Sequence, residues 1–160
     1  MTAMAATKVK VLSVGDKAPV FSAADESGRV WSLKALKGKQ VVLYFYPRDN
    51  TPGCTAQACD LRDNYDAFVK KGACILGVSP DSAKSHASFK AKHGLPFPLL
   101  VDKEKDICRA YGVWQEKMLY GRKFMGIVRS TFVIGSTGHI TRADRKVSVS
   151  GHAQSILEAV

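Results

Sequence analysis

Val41-Val42-Leu43-Tyr44-Phe45-Tyr46-Pro47-Arg48-Asp49-Asn50-Thr51-Pro52-Gly53-Cys54 is the stretch on which the fold turns. Its first six residues form an unbroken β-branched and aromatic run, as expected of a strand buried on both faces. Pro47 cannot donate to a ladder and stops that strand. The residues after it obey the rules for starting a helix. Thr51 suits the cap, Pro52 the first helical position, and Gly53 and Cys54 the first turn.

The same alternation continues along the chain. Ala73–Val78 reads as a second central strand and Ser130–Ile134 as a third. Ser136-Thr137-Gly138 then turns into a strand around His139 to Arg142, and Val30-Trp31-Ser32-Leu33 adds a short hairpin strand near the N-terminus. Helices are expected at about 53–70, 82–92, 103–111 and 151–159, with Asp81 or Ser82 capping the second and Asp102 the third. Strands alternating with helices, without repeat or linker, define an α/β fold. The 160 residues are expected to form a single domain, 1–160. About 1–12 read as an N-terminal extension, the folded pattern beginning near Gly15.

Composition excludes several classes. With 46% hydrophobic and 24% charged residues, the chain is that of a globular protein, and it contains no transmembrane run. Without such a run no membrane contact is expected, and because Met1 to Lys8 lack the charged-then-apolar order of a leader, a cytoplasmic protein is expected. The formal charge of +10 comes from basic residues scattered in ones and twos, which argues against a nucleic-acid partner. Cysteines at 54, 59, 74 and 108 are too few and too uneven for a disulfide scaffold. His86, His93, His139 and His152 are dispersed, and no paired zinc motif occurs, so neither metal nor cofactor is expected. Trp31 and Trp114 read as packing aromatics, and Gly121 to Gly126 as a basic loop.

Cys54 sits at a helix start, where unpaired backbone N–H groups and the helix dipole favour thiolate, the nucleophilic form. Cys54, Ala58, Leu61, Tyr65 and Phe68 step by four and three onto one core-facing stripe. Cys59 falls on a different, more polar stripe. Spacing alone leaves open a buried, inert Cys54, and a surface thiol or half of a metal site for Cys59. Cys74, inside an apolar strand, and Cys108, beside Ile107 and Tyr111, read as core residues.

Taken together, Pro47, Thr51 and Cys54, with Thr51-Pro52-Gly53-Cys54-Thr55 and Gln57-Ala58-Cys59, resemble the peroxiredoxin active-site pattern in its peroxiredoxin Q, or bacterioferritin comigratory protein, branch. The likeness runs from Gly15-Asp16-Lys17-Ala18-Pro19 to the last helix. It implies a thioredoxin-like fold, with a central mixed β-sheet flanked by helices and an N-terminal β-hairpin. It also implies reduction of hydrogen peroxide and organic hydroperoxides. In that cycle Cys54 is the peroxidatic cysteine and Cys59 the resolving one, with an intramolecular Cys54–Cys59 disulfide that thioredoxin or a similar dithiol reduces.

The resemblance further assigns Arg129, in Gly126-Ile127-Val128-Arg129-Ser130, as the guanidinium over the sulfur, Thr51 as a donor, and Pro47 as a shield; a monomer is the implied state. An ideal helix separates the Cα atoms of i and i+5 by roughly 8.7 Å, whereas a disulfide requires less than about 7 Å. The implied pairing therefore demands unwinding of the first turns. Two rival readings are a protein dithiol–disulfide oxidoreductase, disfavoured because four residues separate the cysteines, and a basic nucleic-acid-binding protein. Neither accounts for Pro47, Thr51 and Cys54 together.

Overall fold

The computed structural model describes residues 11–160. In chain order it contains β1 (Ser22–Ala24), β2 (Val30–Ser32), a 3-10 turn (Lys34–Leu36), β3 (Gln40–Phe45), α1 (Pro52–Asp63), α2 (Tyr65–Lys70), β4 (Ala73–Ser79) and α3 (Ala83–His93). These are followed by β5 (Leu99–Val101), α4 (Asp106–Ala110), β6 (Trp114–Leu119), β7 (Arg122–Ile127), β8 (Ser130–Ile134), β9 (Ile140–Arg145) and α5 (His152–Ala159).

β3 lies at the centre of a five-stranded sheet of order β5-β4-β3-β8-β9. β4 is parallel to β3 and β5 to β4, whereas β8 runs antiparallel to β3 and β9 to β8. The period of two along β3 divides its side chains between two cores. Val41, Leu43 and Phe45 join Leu76, Val78 and Phe132 on one face, covered by the N-terminal segment and α4. Val42, Tyr44 and Tyr46 join Ala58, Leu61, Phe68 and Ile156 on the other, covered by α1, α2, α3 and α5. Both faces are apolar because both are covered, which explains the unbroken run in the sequence.

The departures from expectation are local. The helix expected over 53–70 breaks at Asn64, whose side-chain amide donates to the Asp60 carbonyl while its backbone N–H bonds Leu61, tightening the turn. Ser82 caps α3 by accepting from Ser85 N–H, and Asp81 is used elsewhere. α4 starts later than 103 because Lys105 takes a left-handed conformation; Asp102 still serves the helix start, accepting from the N–H groups of Ile107 and Cys108. Of the segment 121–126, expected to be a loop, all but the turn residue Gly121 lies in strand β7, paired with β6. Its alternation was hidden by exposed residues on both faces. Cys74 is half-buried rather than a full core residue, while Cys108 is fully buried. Of the proposed N-terminal extension, residues 1–10 lie outside the described residues, and Leu12 belongs to the core. No helix among the described residues is long and apolar enough to cross a membrane.

Candidate active site

The loop from Pro47 to Thr51 leaves the carboxyl end of β3 and delivers the chain to α1. Its geometry is fixed from behind by a buried polar cluster. Asp49 accepts from the Tyr46 hydroxyl at 2.6 Å on Oδ1, and from the Ser85 hydroxyl at 2.8 Å on Oδ2. His86 Nδ1 lies 2.7 Å from Asp49 Oδ2 and its Nε2 lies 2.9 Å from the Leu100 carbonyl. The Asp49 backbone N–H donates to Asp81, which also accepts from the Ser79 hydroxyl.

Burial alone would raise the Asp49 carboxyl, but the hydrogen bonds from His86 and Tyr46 outweigh it and hold the group below its ordinary range. Burial alone would likewise lower His86, but the hydrogen bond and charge of Asp49 win and push it upward. With the Asp49 carboxylate facing one ring nitrogen and the Leu100 carbonyl the other, the surroundings of His86 favour the doubly protonated imidazolium. Asp49, Asp81 and His86 bring potential metal-ligating atoms within 4.8 Å of one another. Those atoms are engaged with each other and with the neighbouring hydroxyls, and the cluster is a structural knot.

Pro52 and Gly53 open α1, and Cys54 follows in its first turn, 2% exposed among the residues of the second core. Arg129, in the two-residue link between β7 and β8, donates from Nη2 to Cys54 Sγ at 3.3 Å and from Nη1 to Gln57 Oε1 at 2.6 Å. A Cβ on Gly53 would stand 3.1 Å from Arg129 Nη2, so glycine there admits the guanidinium to the sulfur. The Arg129 carbonyl is held by Val147 N–H. The structure thus joins Cys54 and Arg129, which are 75 positions apart.

Gln57, buried one turn beyond Cys54, is a site residue that sequence reading missed. Its signal was a polar residue three positions after the cysteine, close to the core stripe. Its Nε2 and the buried Tyr44 hydroxyl have no protein hydrogen-bond partner among the described residues. Thr51 occupies the cap position of α1, but its hydroxyl does not cap: it donates to the Arg48 carbonyl at 2.9 Å. Pro47 is half-buried just beyond β3. Cys59 is half-buried further along α1, and both it and Cys54 are free thiols. Held in one continuous helix, the two are separated by the i, i+5 geometry that a disulfide cannot span. Cys74 and Cys108 are poor nucleophiles: burial pushes both thiols up, Cys108 far up with Asp102 adding to the effect.

A helix-start cysteine beneath an arginine, at the carboxyl end of a central strand in a mixed sheet, defines a thioredoxin-like thiol peroxidase. The profile of the AhpC/TSA family matches residues 14–143, and the chain belongs to that family, in its peroxiredoxin Q or bacterioferritin comigratory protein branch. It is 46% identical to the Bacillus subtilis peroxiredoxin Bcp over 149 residues, covering 93% of this chain and 95% of that protein. It is 47% identical to a putative Coxiella burnetii peroxiredoxin over 146 residues, 91% and 97% of the two chains.

Among solved structures, Xanthomonas campestris bacterioferritin comigratory protein superposes with a TM-score of 0.85 at 43% identity, over 93% of this chain and 95% of that one. A cysteine-to-serine mutant of Xylella fastidiosa PrxQ gives 0.88 at 38% identity, over 93% and 95%. The protein is a thiol-dependent peroxidase of the atypical two-cysteine kind.

Proposed function

We propose that Cys54 is the peroxidatic cysteine, Cys59 the resolving cysteine, and that the protein reduces hydrogen peroxide and organic hydroperoxides. The observation that carries this reading is the Arg129 guanidinium bonded to Cys54 Sγ at a helix start. The Cys54 thiolate attacks the terminal peroxide oxygen; an S–O bond forms, the O–O bond breaks, and the departing oxygen takes a proton to leave as water or alcohol. Cys54 becomes a sulfenic acid. Negative charge moves from sulfur to the leaving oxygen, so donors placed before the reaction lower the barrier. Arg129 is that donor, and Gln57 is a positioning residue that holds its other nitrogen.

Thr51 joins as a second donor if its hydroxyl turns from Arg48, and Pro47 shields the sulfur from bulk water. Cys59 sulfur then attacks Cys54 sulfur, a disulfide forms, and water leaves. That step needs the first turns of α1 to unwind. A dithiol such as thioredoxin exchanges with the disulfide, becomes oxidised itself, and returns both thiols. Alkyl hydroperoxides are included because alkyl peroxide reduction is described for the Xanthomonas campestris relative. The same reading takes residues 1–160 as one domain and the protein as a cytoplasmic monomer.

The test is reaction of the reduced protein with one equivalent of hydrogen peroxide, following thiol loss and peroxide consumption. Cys54→Ser abolishes the reaction; Cys59→Ser retains the first reduction and accumulates sulfenic acid. Full activity in Cys54→Ser would refute the assignment. Amide exchange across 52–62 should rise in the oxidised form, and identical exchange in both forms would remove the unwinding step.

A further inference from the structure

Ten large apolar side chains stand exposed among the described residues, and five of them fall within positions 118–125: Met118, Leu119, Tyr120, Phe124 and Met125. All five lie on the β6–β7 hairpin, a two-stranded sheet that pairs with no other strand among the described residues. Isolated exposed apolar residues are ordinary, but a contiguous group on one projecting element marks an interaction surface.

The register shows how the group is arranged. Met118 and Met125 share one face with Lys123, while Leu119 and Phe124 share the other with Lys117 and Arg122. Each face therefore carries two apolar side chains and at least one cation. Leu119 opposes Arg122 across a two-residue turn in which Tyr120 (φ 51°) and Gly121 (φ 74°) are both left-handed. Such a turn favours Asn, Asp or Gly at its first position. Here that position holds a tyrosine that is 95% exposed, a choice local folding does not explain.

We propose that this hairpin docks on an anionic phospholipid surface. Leu119 and Tyr120 enter the headgroup region while Arg122 and Lys123 meet the phosphates; Lys117 stays at the base, its ammonium donating to the Ile127 carbonyl at 3.0 Å. The charge is complementary: the hairpin carries Lys117, Arg122 and Lys123 against the single acid Glu116, which lies 3.9 Å from the Lys123 ammonium, so it keeps a positive balance within a chain of net charge +10. At the tip of the hairpin apolar side chains stand on both faces, and a lipid interface covers both at once. An aromatic tip with long cationic side chains behind it is the arrangement suited to a membrane–water boundary. The expectation of no membrane contact rested on the lack of a spanning segment, which does not bear on surface docking.

At the base of the hairpin a cavity of about 510 Å³ is lined by Lys117, Met118, Val128, Lys146 and Arg129, the residue whose guanidinium bonds Cys54. A docked hairpin thus presents the site to hydroperoxides carried at the bilayer surface. That consequence rests on the peroxidase assignment; the docking itself does not.

The test is co-sedimentation of the full chain with vesicles of phosphatidylcholine alone or mixed equally with phosphatidylglycerol, at low and high salt. Binding is expected only to the anionic vesicles and to weaken with salt. Tyr120→Asn with Leu119→Ser, which keeps the turn, should lower partitioning at least about ten-fold, and Arg122→Gln and Lys123→Gln roughly five-fold each. Unchanged consumption of hydrogen peroxide in solution verifies that the variants are folded. No binding to anionic vesicles, or equal binding by the Leu119/Tyr120 variant, overturns the proposal. Retained vesicle binding with slower turnover by a dithiol reductant overturns it in favour of a protein-docking hairpin. Vesicle binding by a protein that does not consume peroxide leaves this inference standing and removes the peroxidase reading instead.

Discussion

Asp49 and Cys54 are five residues apart and are held in opposite ways. Asp49 spends both carboxylate oxygens and its backbone N–H on partners, and His86 spends both ring nitrogens. Among the described residues the Cys54 sulfur has one side-chain hydrogen bond, of 3.3 Å, its neighbour Gln57 leaves a buried Nε2 unpartnered, and the Thr51 hydroxyl is turned away from the helix it could cap. A fully satisfied buried cluster resists opening, while a helix start with few fixed partners is the segment that opens first. The contrast gives the helix a firm anchor upstream and a weak first turn downstream, which suits the unwinding that the proposed Cys54–Cys59 pairing requires.

The largest expected effect breaks the anchor. Asp49→Ala leaves a buried imidazolium without its carboxylate and should cost about 3–5 kcal/mol of stability, measured by denaturant unfolding. Next, Arg129→Met removes the donor over the sulfur. It should slow peroxide reaction by roughly 10²–10³ in stopped-flow assays while changing stability little. An equal loss of stability in both variants would erase the distinction between anchor and site.

Gln57→Leu is milder. It frees Arg129 from its second bond and removes the unpartnered buried amide, so the protein should be at least as stable while peroxide reactivity falls roughly ten-fold. The smallest effect is a dependence on pH. The His86 pKa is raised in the folded state, so its contribution is complete below its ordinary value of 6.5 and fades as pH rises through the raised value. The stability gap between the wild type and His86→Asn should therefore narrow from neutral towards alkaline pH. A constant gap would mean that His86 is neutral in the fold.

Much of the fold was legible because its signals are local. The apolar run of Val41–Tyr46, the Pro47 stop and the Pro52-Gly53-Cys54 helix start are each read within a few residues, and the structure reproduces them with β3 and α1. β6 and β7 were not legible, since exposed residues on both faces erase the alternation that marks a half-buried strand. The break at Asn64 was missed because an otherwise continuous helical stripe runs through it, and a side-chain bond to Asp60 decides it.

The site divides in the same way. Sequence by itself determined that Cys54 stands at a helix start on a core-facing stripe, with Cys59 too far round that helix to reach it, because helical periodicity and Pro/Gly placement are properties of neighbouring residues. Tertiary structure decided that Arg129 meets Cys54, which in the sequence only the family resemblance had assigned, and it alone decided that Gln57 orients it and that Asp49 is locked to His86. These contacts join segments 37–75 positions apart, and only the sheet that sets β3 beside β4 and β8 brings them together.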